Sequence, residues 1–161
     1  MTVGTMVSRR SVFLVASGAL AATAVFAISN VFASSGLLPG PGVIRITSKQ
    51  ISRAHLDRGR RGVSAGDVDI VRNLLFDRRG RTIGHSELLC TSTGTRSSTC
   101  SGTFFLPKGK IIVAGPKSFP EFFEVAVVGG TGLYDNVRGT LTITELGGRP
   151  PRFLVFFRLL I

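Results

Sequence analysis

The sequence has 161 residues, of which 43% are hydrophobic, and it contains 20 glycines, 12 phenylalanines, one tyrosine and no tryptophan. This length allows one domain with one core, and many short apolar runs between glycines and prolines favour an all-β fold over a helical one. The formal net charge of +11 raises nucleic acid or an anionic surface as partners. The arginines lie mainly in predicted loops without interleaved aromatic residues, so a solvated basic rim is favoured and no nucleic-acid partner is expected.

Residues 1–33 have the plan of a secretory signal peptide. Arg9 and Arg10 supply the basic start, and the uncharged segment that follows ends at Ala33 with small or compact residues before the expected cleavage site. The run Ser8-Arg9-Arg10-Ser11-Val12-Phe13 also resembles a bacterial twin-arginine export signal. We therefore expect a secreted, extracytoplasmic bacterial protein without a membrane segment after cleavage, a retained membrane anchor being the alternative.

Residues 34–42 form a linker rich in glycine and proline, and residues 43–161 contain eight predicted strands joined mostly by short connections. Gln50–Gly66 is the longest segment predicted to be irregular, and it could cover the mouth of a barrel. The predicted strands are Val43–Lys49, Asp67–Phe76, Thr82–Thr93, Ser97–Leu106, Lys110–Gly115, Phe122–Val128, Val137–Glu145 and Phe153–Ile161.

Eight sequential strands in one small domain can form a sandwich or a closed barrel. Closure removes the unpaired edges, so we predict an eight-stranded antiparallel β-barrel whose interior is filled by side chains or holds one small ligand. The segments Ile111–Ala114, Phe122–Val128 and Phe153–Ile161 are apolar on both faces. This pattern predicts that part of the outer wall is buried in an oligomer.

The segment Phe122–Glu145 is predicted to be a strand, a tight turn and a second strand. Gly129, Gly130 and Gly132 lie between the strands and can take the positive φ angles that a sharp reversal needs. Gly139, in the second strand, is also predicted to be a structural glycine of this turn region. The glycine run is not a phosphate-binding loop, because no Walker lysine is present and no helix follows.

Cys90 and Cys100 lie symmetrically about Thr95 in a predicted turn. A hairpin folded there would place the two cysteines opposite each other, with Cα atoms ~4.5 Å apart in a non-hydrogen-bonded pair. Two cysteines in an exported chain favour a disulfide. A reactive Cys90 in the cavity is the functional alternative, since sequence fixes strand register poorly.

Several segments resemble the allene oxide cyclase and dirigent superfamily. The most specific is Val127–Gly139, VVGGTGLYDNVRG, which is similar to the dirigent signature VVGGTG…ARG and to VTGGSG…YG of the cyclases. Asp67–Asp77, Gly102–Gly115 and the aromatic strand Phe153–Leu160 extend the resemblance to roughly Gly66–Ile161. The resemblance implies an eight-stranded barrel, commonly a trimer, that holds a small apolar molecule.

The resemblance also implies candidate residues. Asn73 and Cys90 fall near the cavity asparagine and cysteine of the cyclases, whereas their first-strand glutamate has no counterpart, since Val43–Leu56 contains no acid. Dirigent proteins often have two adjacent aspartates where this sequence has Asp67 and Asp69. The intervening residue would place these two side chains on one face of a strand.

The candidate catalytic pair is therefore Asp67 and Asp69. Two carboxylates this close would raise the pKa of one of them, which suits general acid–base work on a bound quinone methide or enone. Two solvated acids balanced by nearby arginines are the alternative. Tyr134, assigned to ligand binding, is either a hydrogen-bond donor at the barrel mouth or a turn residue that packs on the rim.

Arg138, at the arginine of the dirigent signature, is the third candidate catalytic residue. It would point into the barrel and anchor an oxyanion if Val137 and Leu141 packed outward against a neighbouring subunit. Alternatively, Arg138 faces outward and pairs with Asp135 or Glu145.

These observations predict a barrel that binds a small apolar molecule and guides its cyclisation or isomerisation without a cofactor. No metal site is expected, because His55 and His85 lack further ligands at suitable spacing. The alternatives are a non-catalytic structural or binding protein of the cell envelope with a side-chain-filled barrel, and a basic protein that docks on anionic surfaces. A cavity of about 300 Å³ or more that is lined by Asp, Arg and Tyr would favour ligand binding, and a cavity filled by phenylalanine would favour the envelope protein.

Overall fold

The computed structural model describes residues 42–118 and 122–160. The predicted signal segment, residues 1–33, and the linker up to residue 41 lie outside the described residues. Within the described part of the chain, no helix has the length and apolarity needed to cross a membrane.

Eight strands pair antiparallel with their neighbours in chain order and close into a barrel. The first strand pairs with the last over Val43–Lys49 and Arg152–Arg158, so no strand has a free edge along its full length. This pairing confirms the predicted closed barrel and excludes the sandwich. The strands are β1 Val43–Leu56, β2 Val68–Phe76, β3 Thr82–Ser92, β4 Ser98–Leu106, β5 Gly109–Lys117, β6 Phe122–Gly132, β7 Arg138–Gly147 and β8 Arg152–Leu160.

The core occupies the barrel interior, because every second side chain of each strand points inward. In β8, for example, Val155, Phe157 and Leu159 are buried while Arg158 is exposed. Phe157 meets Phe104 of β4 edge to face, with ring centroids 5.0 Å apart. The outer wall carries exposed large apolar side chains, which include Ile70, Leu89, Ile112, Phe122 and Val128.

β1 is longer than predicted and continues to Leu56 instead of ending at Lys49. Its second half pairs with β2, from Gln50 opposite Asn73 to Leu56 opposite Val68, with a bulge between Gln50 and Ser52. The prediction of an irregular segment was wrong there because residues 51–56 are all exposed, so no buried face imposes a regular apolar alternation on the sequence. Inward and outward side chains alike remain partly exposed at this end of the barrel.

The chain reverses after the predicted glycine turn and not within it. β6 runs to Gly132, and the turn follows at residues 133–136, where Asn136 has a φ of 59°. Gly130 is required for a different reason: a Cβ atom there would collide with the carbonyl oxygens of Tyr134 and Lys110. At Gly139, a Cβ atom would likewise collide with a backbone carbonyl of β8. These glycines permit close backbone approach.

Cys90 and Cys100 form a disulfide between β3 and β4. The two residues are directly opposite in the register, and their Cα atoms lie 4.0 Å apart. The predicted hairpin and bridge are thus confirmed. A reactive thiol at Cys90 is excluded, because both cysteines are in the bridge.

We predict that the C90A/C100A double variant unfolds at lower denaturant concentration than the wild type. Cross-linking restricts the unfolded chain, so a loss of about 2–4 kcal/mol in the free energy of unfolding is expected. The measurement is chemical denaturation followed by circular dichroism. Dithiothreitol should lower the stability of the wild type and leave the double variant unchanged; equal sensitivity of both proteins would contradict a stabilising bridge.

Candidate functional site

A cavity of about 240 Å³ lies inside the barrel at the end where β1, β3, β5 and β7 finish and the even-numbered strands begin. Its volume is below the expected threshold, but an apolar cavity of about 150 Å³ already holds benzene. The residues that line it are Ser48, Gln50, Arg53, Asp69, Val71, Asn73, Ser86, Leu88, Cys90, Ser98, Phe104, Lys117, Phe123, Ile143, Glu145, Pro151, Phe153 and Val155.

The deep wall of the cavity is mainly apolar, although Ser48, Asn73 and Ser86 are also buried in it. Phe104, Ile143 and Val155 are buried there, and the half-buried rings of Phe123 and Phe153 flank them. Beyond this wall, the other end of the barrel is filled by side chains of the core. A ligand can therefore enter only the half of the barrel nearest the open mouth.

One buried hydrogen-bonding atom in this wall has no partner in the part of the chain that the structure describes. Asn73 is 4% exposed, and its Nδ2 donates a hydrogen bond of 3.0 Å to Ser86 Oγ. Its Oδ1 is buried without a hydrogen-bond partner among the described residues. If the amide were rotated by 180°, Oδ1 would take the hydrogen bond with Ser86 and Nδ2 would be left without a partner, so one amide atom is unpaired in either orientation. The side chain that carries this unpartnered atom lines the cavity.

The bulge in β1 directs Arg53 towards the mouth of the cavity. Ser48 and Gln50 both line the cavity, as residues two positions apart in a regular strand should. The bulge inserts one extra residue after Gln50, so the next inward side chain is that of Arg53 and not that of Ser52. The Arg53 guanidinium donates from Nε and Nη2 to the two carboxylate oxygens of Asp69, both at 3.0 Å. A hydrogen bond of 3.1 Å joins Asp69 Oδ1 to His55 Nδ1. Asp69 is therefore held in a fixed orientation at the rim.

Lys117 and Glu145 complete the charged rim. Lys117 is the last residue of β5, and its Nζ lies 5.1 Å from the centre of the Phe123 ring. Removal from water lowers the pKa of the Lys117 amino group, and the positive charge of Arg53 acts in the same direction. The carboxylates of Asp69 and Glu145 act against this shift. The rim thus combines two cationic and two anionic side chains above an apolar wall.

Asp67 does not join Asp69 in the cavity. It precedes β2, where the alternation of strand side chains does not apply, and it is 1% exposed. Its carboxylate accepts hydrogen bonds from the backbone N–H groups of Ser64, at 2.7 Å, and Arg58, at 3.0 Å. These bonds lower the pKa of Asp67. The two aspartates therefore have separate partners, and Asp67 anchors the loop between β1 and β2.

Arg138 and Tyr134 also lie outside the cavity. Val137 and Leu141 are buried in the core, so Arg138, which has the opposite phase, is exposed on the outer face. Its Nη1 donates a hydrogen bond of 3.0 Å to the Val137 carbonyl oxygen. In the described ranges, no ion pair joins Arg138 to Asp135 or Glu145. Tyr134 is buried in the core at the closed end, and this burial raises its pKa.

Of the candidate ligand contacts, the structure places Asn73 and Cys90 in the cavity wall. Arg53, Lys117 and Glu145 were not among the predicted site residues. The alternation of inward and outward side chains along a strand could have identified Glu145 and Lys117. Glu145 is in phase with the buried Leu141 and Ile143. Lys117 is in phase with the inward residues of β5. In residues 42–118 and 122–160, no group of three or more acidic, histidine or cysteine side chains could hold a metal ion.

No protein-family model and no curated protein matches the sequence. Among solved structures, pyocyanin demethylase matches with a TM-score of 0.66 and 25% identity over 73% of this chain and 99% of that chain. A pterocarpan synthase dirigent protein matches with a TM-score of 0.60 and 12% identity over 73% and 84% of the two chains. An exo-specific intermolecular Diels–Alderase matches with a TM-score of 0.59 and 15% identity over 71% and 96%. The predicted resemblance to dirigent and allene oxide cyclase-like barrels is thus confirmed at the level of the fold.

We predict that replacing Asp67 with Asn destabilises the protein in a pH-dependent manner. Because the folded-state pKa of Asp67 lies below its ordinary value of 3.8, the carboxylate stabilises the fold above that pH. This contribution is lost as the pH falls through the folded-state pKa. Thermal melting of wild type and D67N should differ most near neutral pH and converge in acid. The exposed Asp57 in the same loop supplies the control, D57N, and a pH-independent gap for D67N would contradict the explanation.

Proposed function

We propose that this dirigent-like barrel binds a small, mainly apolar molecule in its cavity and guides the cyclisation or isomerisation of that molecule without a cofactor. One observation carries the proposal: the barrel interior is filled at one end and hollow at the other. The hollow half joins an apolar wall to an unpartnered amide and a charged rim. Such a combination is typical of sites that bind and orient small molecules.

We assign different roles to the cavity residues according to their position. The apolar wall around Phe104 and Val155 would hold the hydrocarbon part of a ligand and restrict it to a folded conformation, which favours ring closure or rearrangement. The free amide atom of Asn73 would orient one polar group of the ligand. Glu145 and Asp69, whose orientation Arg53 fixes, would accept or return a proton.

The similarity to pyocyanin demethylase favours pyocyanin, or a compound related to it, as a second class of ligand or substrate. The identity of 25% extends over 99% of that protein. Pyocyanin is therefore the first compound to test for both binding and turnover. A non-catalytic envelope protein remains the alternative from a different class, and it predicts binding without product or no binding at all.

We also propose that the chain is exported, cleaved near Ala33 and assembled as a homotrimer. The signal-like residues 1–33 support export, and the exposed apolar residues on the outer wall support assembly. Ile70, Leu89 and Ile112 form a patch on the outer faces of β2, β3 and β5. Burial of this patch against a second copy would remove apolar surface from water.

We predict that Val71→Trp blocks ligand uptake. Val71 lines the cavity, so an indole at this position would occupy the space that the ligand needs. Titration of pyocyanin, followed by fluorescence or calorimetry, should give a Kd at least about tenfold weaker, a loss of about 1.4 kcal/mol. Native mass spectrometry of protein purified from its own host would identify any retained natural ligand.

The matched control is Arg72→Trp at the next residue, which is exposed on the outer face and forms a surface ion pair with Glu87. This variant adds the same side chain outside the cavity, and exposed ion pairs contribute little to stability. Equal weakening by both variants, or a ligand that binds V71W normally, would argue against binding in the barrel.

We predict that the double variant Leu89→Lys and Ile112→Lys is monomeric, because two charges would have to be desolvated in the proposed interface. Size-exclusion chromatography with light scattering should give a trimer mass for the wild type and a monomer mass for the variant. Leu146→Lys, at another exposed apolar position, serves as the control. A monomeric wild type would refute the proposed assembly.

A further inference from the structure

Lys117 is held in an unusual position for a lysine. Its chain enters the cavity from the last residue of β5 and lies half-buried between the Phe123 ring and the charged groups of the rim. Both carboxylate oxygens of Asp69 already accept hydrogen bonds from Arg53. Lys117 therefore lines the hollow interior, and Arg53, not Lys117, is the hydrogen-bond partner of the Asp69 carboxylate.

These surroundings lower the pKa of the amine and so make its neutral form more accessible than in a solvent-exposed lysine. The charged groups whose fields reach Lys117 are Arg53 on β1, Asp69 on β2 and Glu145 on β7. Desolvation is the largest influence, and it lowers the pKa together with Arg53, against the two carboxylates. A lysine that is desolvated or close to another cation is the usual form of a nucleophilic lysine in proteins.

We propose that Lys117 binds aldehydes or ketones covalently, as a reversible imine, when an apolar carbonyl compound occupies the cavity. The inference rests on the proposed function, because the apolar wall must first hold the compound. It goes further by naming the carbonyl group as the feature that is recognised and Lys117 Nζ as the atom that binds it.

The reaction needs no oxidant or reductant. The lone pair of neutral Lys117 Nζ attacks the carbonyl carbon, a C–N bond forms, and the carbonyl oxygen becomes a hydroxyl group after proton transfer from nitrogen. Loss of that hydroxyl with one more proton gives a C=N bond and one molecule of water. Glu145, also on the rim, is placed to carry protons between nitrogen and oxygen.

The chain contains a matched control lysine. Lys110 also sits over an aromatic ring, with its Nζ 5.2 Å from the centre of the Phe105 ring, but it is exposed on the outer surface. The two lysines share the ring contact and differ in burial and in access to the cavity. A difference in their reactivity would therefore report the cavity and not the aromatic neighbour.

The test uses benzaldehyde with sodium cyanoborohydride, which reduces an imine to a stable secondary amine, on the full protein at neutral pH. Intact mass and peptide mapping should find the adduct on Lys117 well before Lys110. The K117R variant should lose the rapid adduct, and K110R should keep it. Benzyl alcohol, which has no carbonyl group, should bind without forming an adduct and should slow labelling of Lys117.

Binding of benzyl alcohol is measured separately by calorimetry on the wild type and on K117R, so that a folded cavity is verified in the variant. If benzyl alcohol binds but Lys117 reacts no faster than Lys110, the imine inference fails while the proposed cavity function stands. If neither compound enters the barrel and Val71→Trp changes nothing, the proposed function fails and the inference fails with it.

Discussion

Closure of β1 onto β8 is the constraint on which the rest of the molecule depends. The pairing between these strands removes the sheet edges and turns one face of all eight strands towards a common axis. Large inward residues such as Phe104 and Phe157 then meet across the interior and fill one end. The smaller inward residues at the other end, Ser48, Ser86 and Ser98, cannot fill the same width. The cavity follows from this difference in side-chain volume.

The charged residues of the cavity lie at its rim, where they keep contact with water. A fully buried charge is costly unless it is paired, and the deep wall contains none. Arg53 and Asp69 pair with each other at the rim, while Lys117 has the Phe123 ring beside it. The polarity of the interior therefore changes from apolar to charged along the axis. A ligand with one polar end would have a single favourable direction of entry.

The strands, their order, the closed barrel and the disulfide could be predicted because they depend on local alternation and short connections. The site could be predicted only in part. The phase of β7 makes Glu145 an inward residue, but the bulge in β1 changes the phase before Arg53, and no residue type in that segment signals the bulge. Asp67 and Asp69 look like a pair in sequence. They separate because β2 begins at Val68, between them. Asp67 therefore belongs to the preceding loop, where it accepts hydrogen bonds from the backbone of Arg58 and Ser64.

The position of the glycine-rich signature explains why resemblance predicts the fold better than the chemistry. Gly130 and Gly139 are needed where backbones approach closely, at the end of the barrel that side chains fill. A match in this segment therefore reports how the barrel closes and packs. The charged rim residues that would meet a ligand lie at the opposite end, outside the buried core. Lys117 and Arg53 belong to that end, so the glycine-rich signature carries no information about which ligand this barrel would select.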